Sequence, residues 1–301
     1  MRIGIDIGGS HIGIGLVDIN GKIIEKEEKD IIWDKCFDIK KFIETEMINV
    51  ITNWANEKNY NIESIGIGIP GIVKDGEVKH SVNLGIFDYN LEKILKKHFP
   101  QYDIKIKNDA KCAGLAEKKL GALKTYGDCI FICLGTGIGG AAFYNNELII
   151  PNRSSGFEFG HMIIQRDGEP CRCGSKGCFE NYGSMRRFKN DIRSVLHLSN
   201  EIEGKELLDI LKDNMDNSEI KKVIENYIIN LCIGISNIVD ILEPEAICIG
   251  GGFSYYKDIL LEQFKKEFYT SKYIFYKKNM PEIVIAELGN DAGIIGSALY
   301  I

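Results

Sequence analysis

Two stretches of the chain repeat one backbone device. Arg2 to Ile7 and His11 to Ile19 are apolar, strand-like runs joined through Gly8-Gly9. Cys129 to Leu134 and Ile138 to Tyr144 are joined through Gly135-Thr136-Gly137. Apolar runs of this length around a glycine turn read as β-hairpins. Glycine at the tip lets a ligand approach the backbone and aims successive N–H groups at an anion. Ser10 and Thr136 each add a hydroxyl, and Asp6 stands at a strand end where it could hold Mg²⁺ through water. The second turn is not a Walker loop, which ends in Gly-Lys-Ser/Thr, nor a dinucleotide fingerprint, which needs a helix after the glycines. A third run, Gly250-Gly251-Gly252, follows a buried apolar run and precedes a helical pattern. A surface without side chains there is expected to accept a nucleotide base or ribose. Any one turn alone reads equally as a plain turn; the three together point to nucleotide phosphate.

Between and after the hairpins the periodicity changes. Lys22 to Ile32 continues the first strands, and Phe37 to Lys58 has apolar residues at helical spacing. Ile62 to Pro70 reads as a strand, Tyr89 to Phe99 as a helix, Asp103 to Lys107 as a strand and Ala110 to Lys119 as a helix. The second half turns helical, with a sustained 3.6-residue period over Glu219 to Leu242. Ala246 to Ile249 and Ile283 to Ala286 read as strands, Tyr256 to Phe268 as a helix, and Asp291 to Ile301 as a small-residue helix. No low-complexity linker divides the halves, and topology suggests a boundary near Asp109.

Composition excludes several classes. With 301 residues, 45% of them hydrophobic and 27% charged, the chain has room for a sizeable core and does not read as disordered. The formal charge of −6 provides no basic excess to neutralise nucleic-acid phosphates. The first apolar run contains Asp6 and no small-residue cleavage site, so no signal peptide is expected. Asn226 to Val239 is too short an uncharged run to span a bilayer. Cys36, Cys112, Cys129, Cys133, Cys232 and Cys248 are scattered, mostly in apolar runs, and read as buried free thiols in a reducing cytoplasm.

The other three cysteines are clustered. Glu158-Phe159-Gly160-His161 precedes Cys171-Arg172-Cys173-Gly174-Ser175-Lys176-Gly177-Cys178-Phe179-Glu180. His161, Cys171, Cys173 and Cys178 make a closed tetrahedral zinc set, with the thiolate and imidazole ligands zinc prefers.

These motifs together resemble the ROK family of repressors and sugar kinases, whose zinc signature joins Glu-x-Gly-His to Cys-x-Cys-Gly-x-x-Gly-Cys-x-Glu. The resemblance extends to the two glycine hairpins, Gly68-Ile69-Pro70-Gly71, Asn83-Leu84, Asn108-Asp109-Ala110, the triple glycine and Asp291-Ala292-Gly293-Ile294-Ile295-Gly296. It implies an α/β, actin-like ATPase fold (ribonuclease H-like), with two α/β domains, a cleft between them and a triphosphate between the hairpins. It implies domains of 1–109 plus 289–301, and of 110–288, because the C-terminal segment packs back on the first. The function implied is ATP-dependent phosphorylation of a hexose hydroxyl, with structural zinc and Mg²⁺ with ATP as cofactors. Asp109 matches the family's catalytic base. Gly71, Asn83, Asn108, Glu158, His161 and Glu180 match sugar-binding positions. Asp6, Gly8, Gly9, Ser10, Gly135, Thr136, Gly137, Gly250, Gly251 and Gly252 fall to the nucleotide. ATP and a small sugar are the expected partners, in a cytoplasmic homodimer that binds neither nucleic acid nor membrane.

Three positions depart from the family pattern, and the last of them is expected on the sugar side. Ser10 stands for the usual Thr, His11 for a lysine or small polar residue, and Phe87 lies near the usual Trp. A glucokinase-like 6-hydroxyl kinase is expected. Kinases of N-acetylmannosamine, N-acetylglucosamine, fructose or allose are alternatives of the same chemistry. A sugar-responsive repressor would carry a helix-turn-helix before the first hairpin, which begins here at Asp6. A zinc hydrolase would need an open metal position, which four strong ligands do not leave.

Overall fold

Thirteen strands and nine α-helices are built in the computed structural model, which describes residues 1–32, 37–58, 60–153, 156–270 and 273–300. Cys36 and Ile301 of the sequence reading lie outside the described residues. The first hairpin is β1 (Arg2–Ile7) and β2 (His11–Val17), followed by β3 (Ile23–Asp30), α1 (Ile39–Thr52) and β4 (Ser64–Ile69). Then come β5 (Ile72–Lys74), β6 (Glu77–Ser81), β7 (Ile86–Tyr89), α2 (Leu91–His98), β8 (Asp103–Asn108) and α3 (Asp109–Leu120). The second hairpin is β9 (Cys129–Leu134) and β10 (Ile138–Tyr144), with β11 (Glu147–Leu148) beyond it. Helices α4 (Glu180–Gly183), α5 (Met185–Leu196), α6 (Gly204–Asp213) and α7 (Ser218–Leu242) lead to β12 (Ala246–Gly251), α8 (Lys257–Thr270), β13 (Glu282–Ile285) and α9 (Ala292–Leu299).

The two large sheets have the same plan. Their orders are β3-β2-β1-β4-β8 and β11-β10-β9-β12-β13. In each, a hairpin pairs antiparallel and its first strand pairs parallel with the next: β1 with β4, then β4 with β8; β9 with β12, then β12 with β13. Parallel neighbours require crossover connections, which α1, α2 and the helices after β10 provide. The repeated strand–glycine–strand pattern therefore extends to whole sheets, the duplicated plan of the actin-like ATPase fold.

The chain divides into two compact units: Met1–Thr125 with Glu147–Phe157 and Glu287–Ile301, and Tyr126–Asn146 with Glu158–Ala286. The break after Thr125 differs from the Asp109 boundary expected from topology. The reason is that α3 packs along α9 and stays with the first unit. A methyl group at Gly4, Gly66 or Gly296 would run into the carbonyl oxygen of Ile294, Ser297 or Cys112, respectively. Glycine therefore lets α9 lie directly on β1, β4 and α3. Ile294, 1% exposed, is sealed at this contact, a burial contributing about 1.5–3 kcal/mol. Buried Glu117 on α3 completes the junction by accepting the backbone N–H groups of Ala122, Glu287 and Leu288 at 3.0, 3.2 and 2.8 Å.

In the first unit the inner face of the sheet is sealed by Ile3, Ile5, Ile65 and Ile67 against Met47, Trp54 and Leu95. Trp54 lies beyond the regular part of α1, in a wide π-turn over Asn53–Glu57. The expected single helix from Phe37 to Lys58 is thus two pieces, and Asp38 caps the first through the amides of Lys40 and Lys41. In the second unit α7 is a 25-residue helix with the length and hydropathy of a membrane span, longer than the uncharged run alone suggested. Over half of its most apolar window is buried against neighbours including α4, α5 and α8, as expected of a core helix.

Candidate functional site

The first unit gathers Asp6, Gly68, Gly71, Asn108 and Asp109 where β1, β4 and β8 end. Register places Asp6 beside Gly68 and Ile69 beside Asn108. A side chain on Gly68 would begin 3.5 Å from Asp6 Oδ1 and 3.3 Å from the Asp109 Cα, so glycine keeps the two acids close. Burial, reinforced by the charge of Asp109 and opposed by Lys26, pushes the Asp6 carboxyl up to about 7. A half-buried carboxylate held beside a second one fits a cation, and Asp6 is the residue that could hold Mg²⁺.

Asn108 is engaged at both ends of its amide. Its side-chain oxygen accepts the Lys111 amide at 3.1 Å and caps α3, and its Nδ2 donates to the Gly71 carbonyl at 3.1 Å. Asp109 is the first helical residue, its Oδ1 accepting the Ala110 amide at 2.8 Å. Gly71 has φ +106, and a side chain there would run into the His80 carbonyl, so only glycine serves. Asn83 is exposed in the turn between β6 and β7, and Phe87, 52% exposed, lays its ring 5.0 Å from that of His80.

The hairpin tips behave alike. In the first, Gly8 N–H donates to the His11 carbonyl at 2.9 Å, and Ser10 Oγ lies 3.2 Å from His11 Nδ1, which makes His11 a hydrogen-bonded residue at the start of β2. In the second, Gly135 N–H donates to the Gly137 carbonyl at 3.0 Å, and Thr136 is exposed. A Cβ on Gly9 or Gly135 would meet nothing within 4 Å, and neither residue has a left-handed φ. Neither packing nor backbone conformation within the chain requires glycine at those two points. The open space beside the backbone is what a closely approaching phosphate needs. Gly250, Gly251 and Gly252 differ, because packing accounts for them: their Cβ atoms would lie 2.8 Å from the Phe131 ring, 2.6 Å from the Leu134 carbonyl oxygen and 3.3 Å from Met185.

In the second unit the donor atoms of His161, Cys171, Cys173 and Cys178 lie within 4.8 Å of one another. Cys173 Sγ and Cys178 Sγ are 3.7 Å apart, as are Cys171 Sγ and His161 Nδ1. Tetrahedral zinc with Zn–S bonds of about 2.3 Å requires sulfur separations of about 3.8 Å, so the set fits that ion. Nδ1 faces the thiolates and leaves Nε2 as the other ring position. Gly174 and Gly177 carry φ of +92 and +72 and let the loop wrap round the four donors. Glu158 precedes the short helical turn that carries His161, its carbonyl accepting the His161 amide at 3.0 Å. Glu180 opens α4, with one carboxylate oxygen 3.8 Å from Cys171 Sγ and the other accepting the Ile138 amide at 3.2 Å. That second bond ties the cysteine loop to the second hairpin.

One neighbour of this hairpin escaped the sequence reading. The Arg186 amide donates to the Gly135 carbonyl at 3.1 Å, so the N-terminus of α5, capped by Ser184, abuts the tip. The only sequence signal was the cap residue.

Comparison with known proteins bears on this arrangement. A glucokinase of Halalkalibacterium halodurans is 30% identical, over 98% of this chain and 92% of that protein. A xylose repressor of Bacillus spizizenii is 27% identical, over 98% of this chain and 75% of that protein. The solved structure of a ROK family glucokinase from Streptomyces griseus, in complex with glucose and AMPPNP, matches with a TM-score of 0.84 and 25% identity, over 99% of this chain and 98% of that one. The family model described as ROK family matches residues 2–301, and the chain belongs to the ROK family.

Proposed function

We propose that this protein is an ATP-dependent sugar kinase that phosphorylates a hexose, glucose first among the candidates, at its 6-hydroxyl. The observation that carries the reading is the pair of hairpin tips, where Gly9 and Gly135 leave matching open space beside the backbone. Glucokinase relatives that share the full length of the chain support the same chemistry.

A sugar hydroxyl is a poor nucleophile, and Asp109 is the base that takes its proton. The hydroxyl oxygen bonds to the γ-phosphorus while the bond from that phosphorus to the ADP oxygen breaks. Asn108 holds Asp109 at the first position of α3 and fixes Gly71, whose backbone faces the sugar. Asn83, Glu158, His161 and Glu180 bind ring hydroxyls, the carboxylates accepting and the histidine donating through Nε2. Gly8, Gly9, Ser10, Gly135, Thr136 and Gly137 receive the phosphates, and the Gly250–Gly252 turn lies against the ribose or base. Magnesium, held by Asp6, would neutralise charge on the phosphates. Zinc on His161, Cys171, Cys173 and Cys178 would fix the loop that carries the sugar ligands. The assembly proposed is a homodimer.

ADP release measured with ATP and a panel of glucose, N-acetylmannosamine, N-acetylglucosamine, fructose and allose tests the reading. Glucose is expected to give the largest kcat/KM. A faster N-acetylhexosamine would reassign the substrate. Tight, sequence-selective DNA binding without turnover would favour the repressor function of the xylose-repressor relatives.

A further inference from the structure

Two consecutive arginines open α5, and they are held differently. Ser184 caps the helix and Met185 is its first residue, so Arg186 and Arg187 fall in a first turn that holds no acidic residue. Cations are unfavourable there, because the aligned peptide dipoles place partial positive charge at a helix N-terminus. For Arg187 the chain supplies anions. Its Nε lies 2.8 and 2.7 Å from the two carboxylate oxygens of Asp191, and its Nη1 donates to Glu169 at 2.6 Å. Its guanidinium carbon also lies 5.8 Å from the centre of the Tyr182 ring. For Arg186 the chain supplies no such partner: among the described residues its half-buried side chain forms neither an ion pair nor a hydrogen bond. An uncompensated cation at the positive end of a helix points to an anion from outside the chain.

The backbone fixes where that charge stands. The Arg186 amide donates to the Gly135 carbonyl at 3.1 Å, and a Cβ on Gly135 would meet nothing within 4 Å. One residue earlier, a Cβ on Gly252 would lie 3.3 Å from Met185 Cγ and 3.5 Å from the Leu134 carbonyl oxygen. The start of α5 therefore stands beside both the hairpin tip and the triple-glycine turn, all within the second unit. One hydrogen bond separates the two backbones at Gly135, well within the reach of an arginine side chain. The other shoulder of the tip carries the opposite charge. Glu180 Oε2 accepts the Ile138 amide at 3.2 Å and would collide with a Cβ on Gly137. A phosphate received at Gly135–Gly137 thus faces a carboxylate that repels it, and a cation on the Gly135 side offsets that repulsion. We propose that the Arg186 guanidinium binds the phosphate chain of the nucleotide at the second hairpin. Its fork of donors matches two oxygens of a phosphate. The proposal deepens the nucleotide reading of the hairpins and rests on it.

Calorimetric titration of ADP with Mg²⁺ into the full-length protein and into Arg186→Gln tests the proposal, with adenosine measured by competition against ADP. ADP affinity should fall about tenfold in the variant, the scale of losing one charge-assisted contact, while adenosine affinity stays within about twofold. Arg186→Lys should recover part of the loss, because it keeps the charge without the fork. Without nucleotide, Arg186→Gln should unfold at a higher urea concentration than the parent, since it removes a cation from the positive end of α5. The same melt shows that the variant is folded. A residue with a merely structural role would move the urea midpoint the other way, so a lowered midpoint overturns the proposal. Unchanged ADP affinity in Arg186→Gln overturns it as well, and equal weakening of ADP and adenosine would assign the effect to packing instead of phosphate. A parent protein that binds neither ligand would contradict the nucleotide reading of the hairpins themselves. ADP binding that depends on Arg186, in a protein that shows no sugar-dependent ADP release, would contradict the kinase reading and leave this contact standing.

Discussion

The Asn108 side chain spans two functions at once: its oxygen caps α3 at the Lys111 amide, and its nitrogen donates to the Gly71 carbonyl 37 residues away. The helix that begins with Asp109 is thereby keyed to the turn that follows β4. Asn108→Asp separates the two roles, since a carboxylate still caps the helix but presents oxygen to a carbonyl. Stability of the variant should change by less than about 1 kcal/mol from the cap itself. Sugar KM should rise about tenfold or more, with a smaller loss in kcat, because the lost contact orders the sugar turn before chemistry. Steady-state kinetics beside a urea melt would show it, and an unchanged KM would break the link between Asn108 and the sugar.

The cysteine loop should carry one zinc per chain. Replacing Cys171, Cys173 or Cys178 by Ser should lower metal content and thermal midpoint together, because a structural site contributes its binding energy to folding. Sugar affinity should fall in the same variants, since Glu158, His161 and Glu180 border the loop. Elemental analysis of protein purified without chelator makes the decision, and full sugar affinity in a metal-free protein would contradict the account.

Asp6 gives a pH signature. Its carboxyl titrates at about 7 in the folded chain against an ordinary value of 3.8. Between those values the unfolded chain gives up the proton while the folded chain keeps it, so this group makes stability fall as pH rises from about 4 to 7. Asp6→Asn should therefore be more stable than the parent at pH 8 without ligands, with an advantage that shrinks toward pH 4. The same variant should lose most Mg²⁺-dependent turnover. Denaturant midpoints across pH 4–8 check the sign, and an advantage that grew on acidification would refute it.

Much of this organisation was legible in the sequence because glycine and cysteine announce their geometry. Gly8-Gly9, Gly135-Thr136-Gly137 and the Cys171–Cys178 spacing each correspond to a backbone shape with few alternatives. The sheet of β5, β6 and β7 was not legible. Its strands are three to five residues long and only partly buried, and Gly71 and the Asp75-Gly76 turn set their pairing, rather than any alternating apolar pattern. Glu117 was invisible for a different reason. Within a helical pattern a glutamate reads as a solvent-facing residue, and only the turn at Ala122 and the return of residues 287–288 create the three N–H groups that it binds. The bond from Asn108 to the Gly71 carbonyl was likewise invisible, because its two partners stand 37 residues apart.

The most direct test is sugar-dependent ADP release by the parent protein and Asp109→Asn, measured side by side with glucose affinity by calorimetry. Removing the proton acceptor while keeping its shape should lower kcat on the order of 10² to 10⁴-fold and leave glucose affinity within about threefold. A variant that keeps more than about a third of the parent's kcat would contradict the assignment of Asp109 as the base. A parent protein that releases no ADP with any sugar of the panel would contradict the kinase itself.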